Sequence, residues 1–127
     1  MMTFTFNHIA LSVKDVDESV QFYQRVLQLE EIENTASNSS TRWLSLNQGK
    51  QLHLIPRPKS EIKLNKAVHF ALSTPDIEDV VSSLENLNIE YSDWKDVPGN
   101  IYVRQDGIKQ VYFQDPNGYW IELNNDV

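Results

Sequence analysis

Short stretches in which apolar and polar side chains alternate predict several β-strands, because successive side chains of a strand point to opposite faces. The two clearest stretches are residues 4–13 and 67–73. Each carries one histidine, His8 or His69, on the face opposite its apolar side chains. Further strands are predicted at residues 29–33, 41–46, 51–55 and 89–91, and on both sides of a turn within residues 111–123.

Apolar residues at intervals of three and four predict two amphipathic helices between these strands. The first begins after Asp15, whose carboxylate can cap it, and has Glu18 at its third helical position. The second begins at Thr74-Pro75, an N-cap residue followed by a proline at the first helical position. The apolar stripes are Val16, Val20, Tyr23 and Leu27 in the first helix and Ile77, Val80, Val81, Leu84 and Leu87 in the second.

The last predicted hairpin turns at the tetrapeptide Asp115-Pro116-Asn117-Gly118. Proline fixes φ while asparagine and glycine tolerate positive φ, so this tetrapeptide favours a tight turn. Alternation in the second strand places Trp120 and Glu122 on the face away from Ile121 and Leu123. Because burying an unpaired carboxylate is costly, a glutamate between two apolar residues indicates a bound metal ion.

The two halves of the chain repeat one pattern. The motif H-x-A-L-S at His8 recurs at His69, and a G-x-x-L-H-L motif containing His53 recurs as G-x-x-I-E-L containing Glu122. Each half therefore predicts the order β-α-β-β-β, which makes the chain an α+β protein of one domain, residues 1–127. Its two modules span approximately residues 1–56 and 67–127, joined by a linker at residues 57–66 that is rich in basic residues.

Four polar side chains share the repeat-related positions, and the chain's three histidines all fall among them: His8, His53, His69 and Glu122. A single strand histidine is more often a hydrogen-bonded structural residue than a ligand. Three such histidines beside a carboxylate instead predict one divalent-metal site, since imidazole and carboxylate suit Zn, Ni, Fe, Mn and Co. The same faces carry side chains that either line a pocket or simply pack within the sheets: Trp43, Ser45, Tyr112, Gln114 and Trp120.

Charge and composition exclude several classes of partner. A formal net charge of −7 disfavours nucleic acids and anionic membranes. The chain has no cysteine, which excludes disulfides and thiolate chemistry. The first residues show neither a basic region nor a long apolar run, so we expect a cytoplasmic protein without a membrane span.

Five segments resemble the vicinal oxygen chelate superfamily of glyoxalase I, bleomycin-resistance proteins, fosfomycin-resistance enzymes, methylmalonyl-CoA epimerase and extradiol dioxygenases. They are F-N-H-I-A-L-S-V, F-Y-Q-R-V-L, L-H-L-I, V-H-F-A-L and, the most specific, F-Q-D-P-N-G-Y-W-I-E-L. The resemblance covers nearly the whole chain. It implies two βαβββ modules that form a cupped mixed sheet, with the helices on the outside, around one divalent metal ion.

The resemblance also implies how such a site is used. It carries the ligand role over to His8, His69 and Glu122. It implies a small substrate that binds through two neighbouring oxygens, and a homodimer with the site at or near its interface. In that dimer His8 and His53 of one chain meet His69 and Glu122 of the other.

The function favoured by these observations is a metal-dependent lyase or isomerase of glyoxalase type, with His53 or Glu122 moving the substrate proton. Alternatives are an Fe(II) dioxygenase, a thiol transferase acting on an epoxide antibiotic, and a metal-free drug-binding protein of the bleomycin-resistance type. Glyoxalase I has glutamate where this chain has His53. We therefore expect little lactoylglutathione lyase activity.

Overall fold

The computed structural model describes residues 1–127, which form two compact units, Met1–Ile62 and Lys63–Val127. Each unit has the order β-α-β-β-β, so the predicted α+β class and the two βαβββ modules are confirmed. The elements of the first unit are β1 (His8–Val13), α1 (Val16–Leu27), β2 (Glu31–Ile32), β3 (Arg42–Ser45) and β4 (Gln51–Pro56). Those of the second are β5 (His69–Ser73), α2 (Ile77–Asn86), β6 (Tyr102–Val103), β7 (Lys109–Gln114) and β8 (Trp120–Asn124).

The first unit contains a four-stranded sheet in the order β1-β4-β3-β2, in which β1 and β4 are parallel and the other pairs antiparallel. Helix α1 begins as predicted, since Asp15 Oδ1 accepts a hydrogen bond from the Glu18 N–H at 3.1 Å. The helix contacts β3 and β4. Its buried face is wider than the predicted stripe and consists of Ser19, Val20, Phe22, Tyr23 and Val26.

The second unit repeats this arrangement, with a sheet in the order β5-β8-β7-β6 and a parallel pair β5–β8. The predicted final hairpin is confirmed as β7–β8. In its turn, Asp115 Oδ1 accepts from the N–H groups of Asn117 and Tyr119 at 2.9 and 3.0 Å. Gly118 has a φ of 89°, a left-handed conformation that favours glycine, and a Cβ there would require the methyl groups of Leu64 to move.

Two predicted strands start later or not at all. Residues 4–7 are not in a strand, and Phe4 and Phe6 are 88% and 58% exposed. The reason is the register, because β4 begins at Gln51 opposite His8, and the last bond at this end of the pair runs from the Gln51 N–H to the Asn7 carbonyl at 3.2 Å. No strand forms at residues 89–91. The nearest β-pairing is at Ser92, which forms isolated bridges with Pro98 and Tyr112.

The start of α2 also differs from the prediction. The N-cap is Asp76 rather than Thr74, and the helix begins at Ile77, two residues after Pro75. Thr74 Oγ1 instead accepts a hydrogen bond from the Asp76 N–H at 3.3 Å, which forms a turn ahead of the helix. The predicted apolar stripe is nevertheless correct, with its buried members at Ile77, Val81 and Leu84. Neither helix has the length and apolar character needed to cross a membrane.

Candidate functional site

The four predicted site residues lie in two pairs, one in each unit. His8 and His53 lie on the parallel strands β1 and β4, and His69 and Glu122 lie on the corresponding strands β5 and β8. Across the chain, no three His, Asp or Glu side chains form a group that could hold a metal ion. The four-residue site therefore stays a prediction, and each pair is described by itself.

Strand register explains why the members of each pair meet. Ala10 lies directly opposite His53, and Ala71 lies directly opposite Glu122. Alanine leaves room above the sheet, so the histidine two residues earlier on the same face can reach diagonally across to the neighbouring strand. The sequence indicated this small residue in both repeats.

In the second unit, His69 Nε2 lies 3.3 Å from Glu122 Oε1. The other ring nitrogen, Nδ1, donates a hydrogen bond to the carbonyl oxygen of Lys66 at 2.9 Å. A carbonyl only accepts, so Nδ1 carries a hydrogen, and Nε2 is the ring nitrogen that faces the carboxylate. Two ligand atoms bound to one ion at about 2.1 Å lie roughly 3.0–3.4 Å apart. The pair therefore has the spacing of adjacent metal ligands.

Glu122 is 7% exposed and is surrounded by neutral donors. Its carboxylate accepts hydrogen bonds from Tyr112 Oη at 2.8 Å, Asn124 Nδ2 at 2.8 Å and Gln110 Nε2 at 3.2 Å. These bonds explain how an ionised carboxylate is stable between the apolar residues of this strand. The explanation expected from the sequence was a bound metal ion. Burial raises the pKa of Glu122, but the three donors together outweigh burial and lower it. The side chain is thus held as an oriented acceptor.

Lys66, predicted to lie in a solvated linker, instead contacts the residues around His69 and Glu122. Its side chain is only 15% exposed, although a lysine is seldom buried without partners. The ammonium group donates to the carbonyls of Asp93 and Trp94 at 2.9 and 3.2 Å and to Asp96 Oδ1 at 2.6 Å. It also lies over three aromatic rings, with centroid distances of 4.7 Å for Trp120, 5.2 Å for Tyr112 and 5.6 Å for Trp94.

In the first unit, His53 lies between two other rings. The His8 ring is stacked on it at a centroid distance of 4.0 Å and 14°, and the Trp43 ring at 4.2 Å and 3°. His8 Nδ1 donates to Asn7 Oδ1 at 2.7 Å, and His53 Nε2 donates to Gln51 Oε1 at 2.8 Å. Burial, followed by the electrostatic interaction with His8, lowers the pKa of His53, so this imidazole is neutral at neutral pH.

The predicted lining residues divide into two groups. Trp43 and Tyr112 contact site residues directly, and the Trp120 ring lies against the Lys66 ammonium group, as the preceding distances show. Ser45 and Gln114 instead serve the hairpin turns, since Ser45 Oγ accepts from the Asn47 N–H and Gln114 Nε2 donates to the Gly118 carbonyl. Alternation identified the face on which these side chains lie but not the group that each one binds.

Comparisons with known proteins relate nearly the whole chain to one family. Residues 5–123 match the family model described as Glyoxalase/Bleomycin resistance protein/Dioxygenase superfamily. Over 131 residues the chain is 31% identical to Glyoxylase I 4 of Arabidopsis thaliana, covering 95% of this chain and 70% of that protein. Over 123 residues it is 32% identical to metallothiol transferase FosB of Staphylococcus haemolyticus, covering 93% of this chain and 81% of that protein. A solved glyoxalase/dioxygenase from Nostoc punctiforme has a TM-score of 0.76 at 23% identity, covering 97% of this chain and 91% of that chain.

Proposed function

Because the chain belongs to the glyoxalase/bleomycin resistance protein/dioxygenase superfamily, we propose that it is a metal-dependent lyase or isomerase of glyoxalase type. Its substrate would be a small molecule with two neighbouring oxygen atoms. The observation that supports this proposal most is the 3.3 Å spacing of His69 Nε2 and Glu122 Oε1. There an imidazole nitrogen and a carboxylate oxygen, two atoms of the kind that bind divalent metals, face each other at ligand spacing.

The proposed metal site consists of His8, His53, His69 and Glu122. A bound divalent ion would act as a Lewis acid that polarises a substrate oxygen, and this donor set suits Zn, Ni, Fe, Mn or Co. The residues of this chain hold and orient the donors. Lys66 fixes the tautomer of His69 through its carbonyl, and Tyr112 orients the carboxylate of Glu122. Glu122 and His53 are the proposed groups for moving a proton between adjacent substrate carbons.

We further propose that two chains of a homodimer combine their half-sites, with the first unit of one chain meeting the second unit of its partner. Support comes from the division of the donors, since each unit holds one pair on its parallel strands. Two protein donors fill only part of the coordination sphere of Zn or Fe, which takes four or more ligands. The site would then lie at or near the dimer interface.

Metal content measured on protein purified without an affinity tag tests the ligand assignment. We expect about one divalent ion per chain in the parent and a loss of at least about tenfold in affinity in His8→Ala and Glu122→Gln. Glu90→Gln, the same chemical change at an exposed carboxylate of the second unit, serves as the control and should bind like the parent. Undiminished metal binding in His8→Ala and Glu122→Gln would show that the ligands lie elsewhere.

A second candidate reaction is thiol transfer, because a relative 32% identical over 123 residues is named as a metallothiol transferase. Assays of the metal-loaded protein with an epoxide antibiotic and a small thiol, with the hemithioacetal of methylglyoxal and glutathione, and with a catechol under oxygen separate the possible reactions. Turnover on the epoxide alone would favour the transferase. Drug binding without metal would favour a binding protein. We expect little turnover of the hemithioacetal because His53 replaces the glutamate of glyoxalase I.

A further inference from the structure

We propose that His53 does not bind the metal ion but positions His8. The His53 ring stacks on the imidazole of His8, and Trp43 packs against the other face of the His53 ring. This inference rests on the proposed metal site and redefines one of its four residues. It leaves His8, His69 and Glu122 as the protein ligands. Two imidazoles and one carboxylate then leave more coordination positions open for two substrate oxygens than a four-residue set does.

The ring geometry carries the argument. An imidazole nitrogen binds a metal through a lone pair in the plane of the ring, at about 2.0–2.1 Å. The rings of His8 and His53 are within 14° of parallel with centroids 4.0 Å apart, so they are in face-to-face van der Waals contact. With ring planes roughly 3.5–4.0 Å apart, an ion shared by both nitrogens would lie nearly 2 Å outside each plane. Lone pairs in two such planes cannot meet at one ion.

His53 is also the less adjustable of the two rings. Trp43 covers its other face at 4.2 Å and 3°, and Gln51 accepts the hydrogen of its Nε2 at 2.8 Å. Turning this ring edge-on would break both stacks and the hydrogen bond. His8 is exposed and is held on one side only, through Nδ1, by Asn7. Its other ring nitrogen, Nε2, is therefore available to bind a metal ion.

The internal repeat shows what the same position does when it is a carboxylate. Glu122 occupies the position equivalent to His53, and its Oε1 lies 3.3 Å from Nε2 of its histidine, the spacing of two ligands. The aromatic neighbour on the adjacent strand differs accordingly. Tyr112 donates a hydrogen bond to Glu122, whereas Trp43 stacks on His53. One repeat thus supplies two ligands and the other supplies one ligand with a support.

Titration of the metal-free protein with Co²⁺, followed by visible absorption and by chelator competition, separates a ligand from a support. His53→Phe keeps a flat ring without a donor atom, and His53→Leu keeps apolar volume without a ring. If His53 is a support, the Phe variant should bind Co²⁺ within about threefold of the parent and with the parent's spectrum. The Leu variant should bind roughly 10- to 100-fold more weakly, as expected when the partner that orients a ligand is lost.

The outcomes distinguish failure of this inference from failure of the proposed function. If His8→Ala loses Co²⁺ and His53→Phe loses it equally, with altered absorption bands, then His53 is a ligand and the inference is wrong. If the parent binds no Co²⁺, or His8→Ala binds it like the parent, the metal site itself is misassigned. If His53→Leu binds like the parent, stacking does not position His8 and the inference is also overturned.

A readout without metal checks the stack directly. The His53 ring, stacked on the His8 ring, places the His8 ring protons in its shielding zone. In proton NMR of the metal-free protein, His8 should move toward random-coil shifts in His53→Leu and stay shielded in His53→Phe. Unchanged His8 shifts in the Leu variant would contradict the stack.

Discussion

At the scale of single residues, the predicted site residues depend on neutral neighbours that fix the orientation of their side chains. Tyr112 is the clearest case, because its hydroxyl is the donor to Glu122 from the strand directly opposite. Burial raises the pKa of Tyr112, and the hydrogen bond to Glu122 raises it further, so the phenol stays protonated and remains a donor. The carboxylate consequently has a fixed orientation before any ligand binds.

Removing this hydroxyl should be costly for the metal-free protein. In Tyr112→Phe a buried carboxylate loses a donor, and hydrogen bonds to charged groups contribute about 1.5–3 kcal/mol. We expect a fall of that size in the free energy of unfolding, measured in urea at neutral pH. Tyr91→Phe is the matched control, since its hydroxyl donates to the exposed Glu85 and should contribute much less. Equal effects in the two variants would show that the Tyr112–Glu122 bond has no special role.

At the scale of elements, the segment between α2 and β6 contains only isolated β-bridges, at Ser92, and is held in addition by side-chain hydrogen bonds. Asp93 is buried, and its carboxylate accepts from Asn100 Nδ2 at 2.8 Å and from the Val97 N–H at 2.9 Å. Its main-chain carbonyl accepts from Lys66 Nζ. The segment 93–100 is therefore tied both to itself and to the residue that fixes the tautomer of His69.

The ionisation of Asp93 should make part of the stability dependent on pH. The hydrogen bond from Asn100, followed by that from Val97, lowers the pKa of Asp93 below 3.8 despite burial. A carboxylate whose folded-state pKa is depressed contributes stability above its unfolded-state pKa and loses it as the pH falls through the folded-state pKa. Asp93→Asn should therefore lower the Tm at pH 7 and approach the parent below pH 3.8.

Thermal unfolding of both proteins between neutral and acid pH measures this difference. Glu90→Gln, at an exposed carboxylate of the same unit, is the control for losing one negative charge. A constant Tm difference between parent and Asp93→Asn across the pH range would mean that the amide disturbs packing and that ionisation contributes nothing.

At the scale of the whole molecule, the β-α-β-β-β module occurs twice, with different side chains, His53 and Glu122, at equivalent positions. Each unit places its pair of predicted site residues on the parallel strands of its sheet, with an alanine opposite His53 in the first unit and opposite Glu122 in the second. The family membership and the two βαβββ modules account for this arrangement. The proposed homodimer would bring one pair from each of two chains together at a single site.

Mixing two inactive variants tests the homodimer. If the site is shared between chains, a mixed dimer of His8→Ala and Glu122→Gln has one site with both lesions and one with none. Random assembly after unfolding and refolding together should then restore metal binding to about one quarter of all sites. A mixture of His69→Ala with Glu122→Gln, both in the second unit, should restore none. No restoration in the first mixture, with dimers present by light scattering, would exclude a site shared between chains.

The sequence by itself determined the features that depend on neighbours close along the chain. Strand alternation identified the faces of His8, His53, His69 and Glu122, because the period of two is a property of the extended backbone. The proline–asparagine–glycine turn predicted the last hairpin, and the repeat predicted the module order. Element ends were less accurate, since a strand also needs a partner in register, and the pairing of β1 with β4 starts only at His8.

Only the tertiary structure decided which groups meet across long separations. Lys66 looked like part of a solvated linker, yet it donates to a carbonyl 27 residues away and accepts from His69. The donors to Glu122 and the stacking of His53 likewise depend on side-chain directions across neighbouring strands. Hydrogen bonds and ring contacts are formed between atoms in space, and a linear pattern specifies only the face on which each side chain lies.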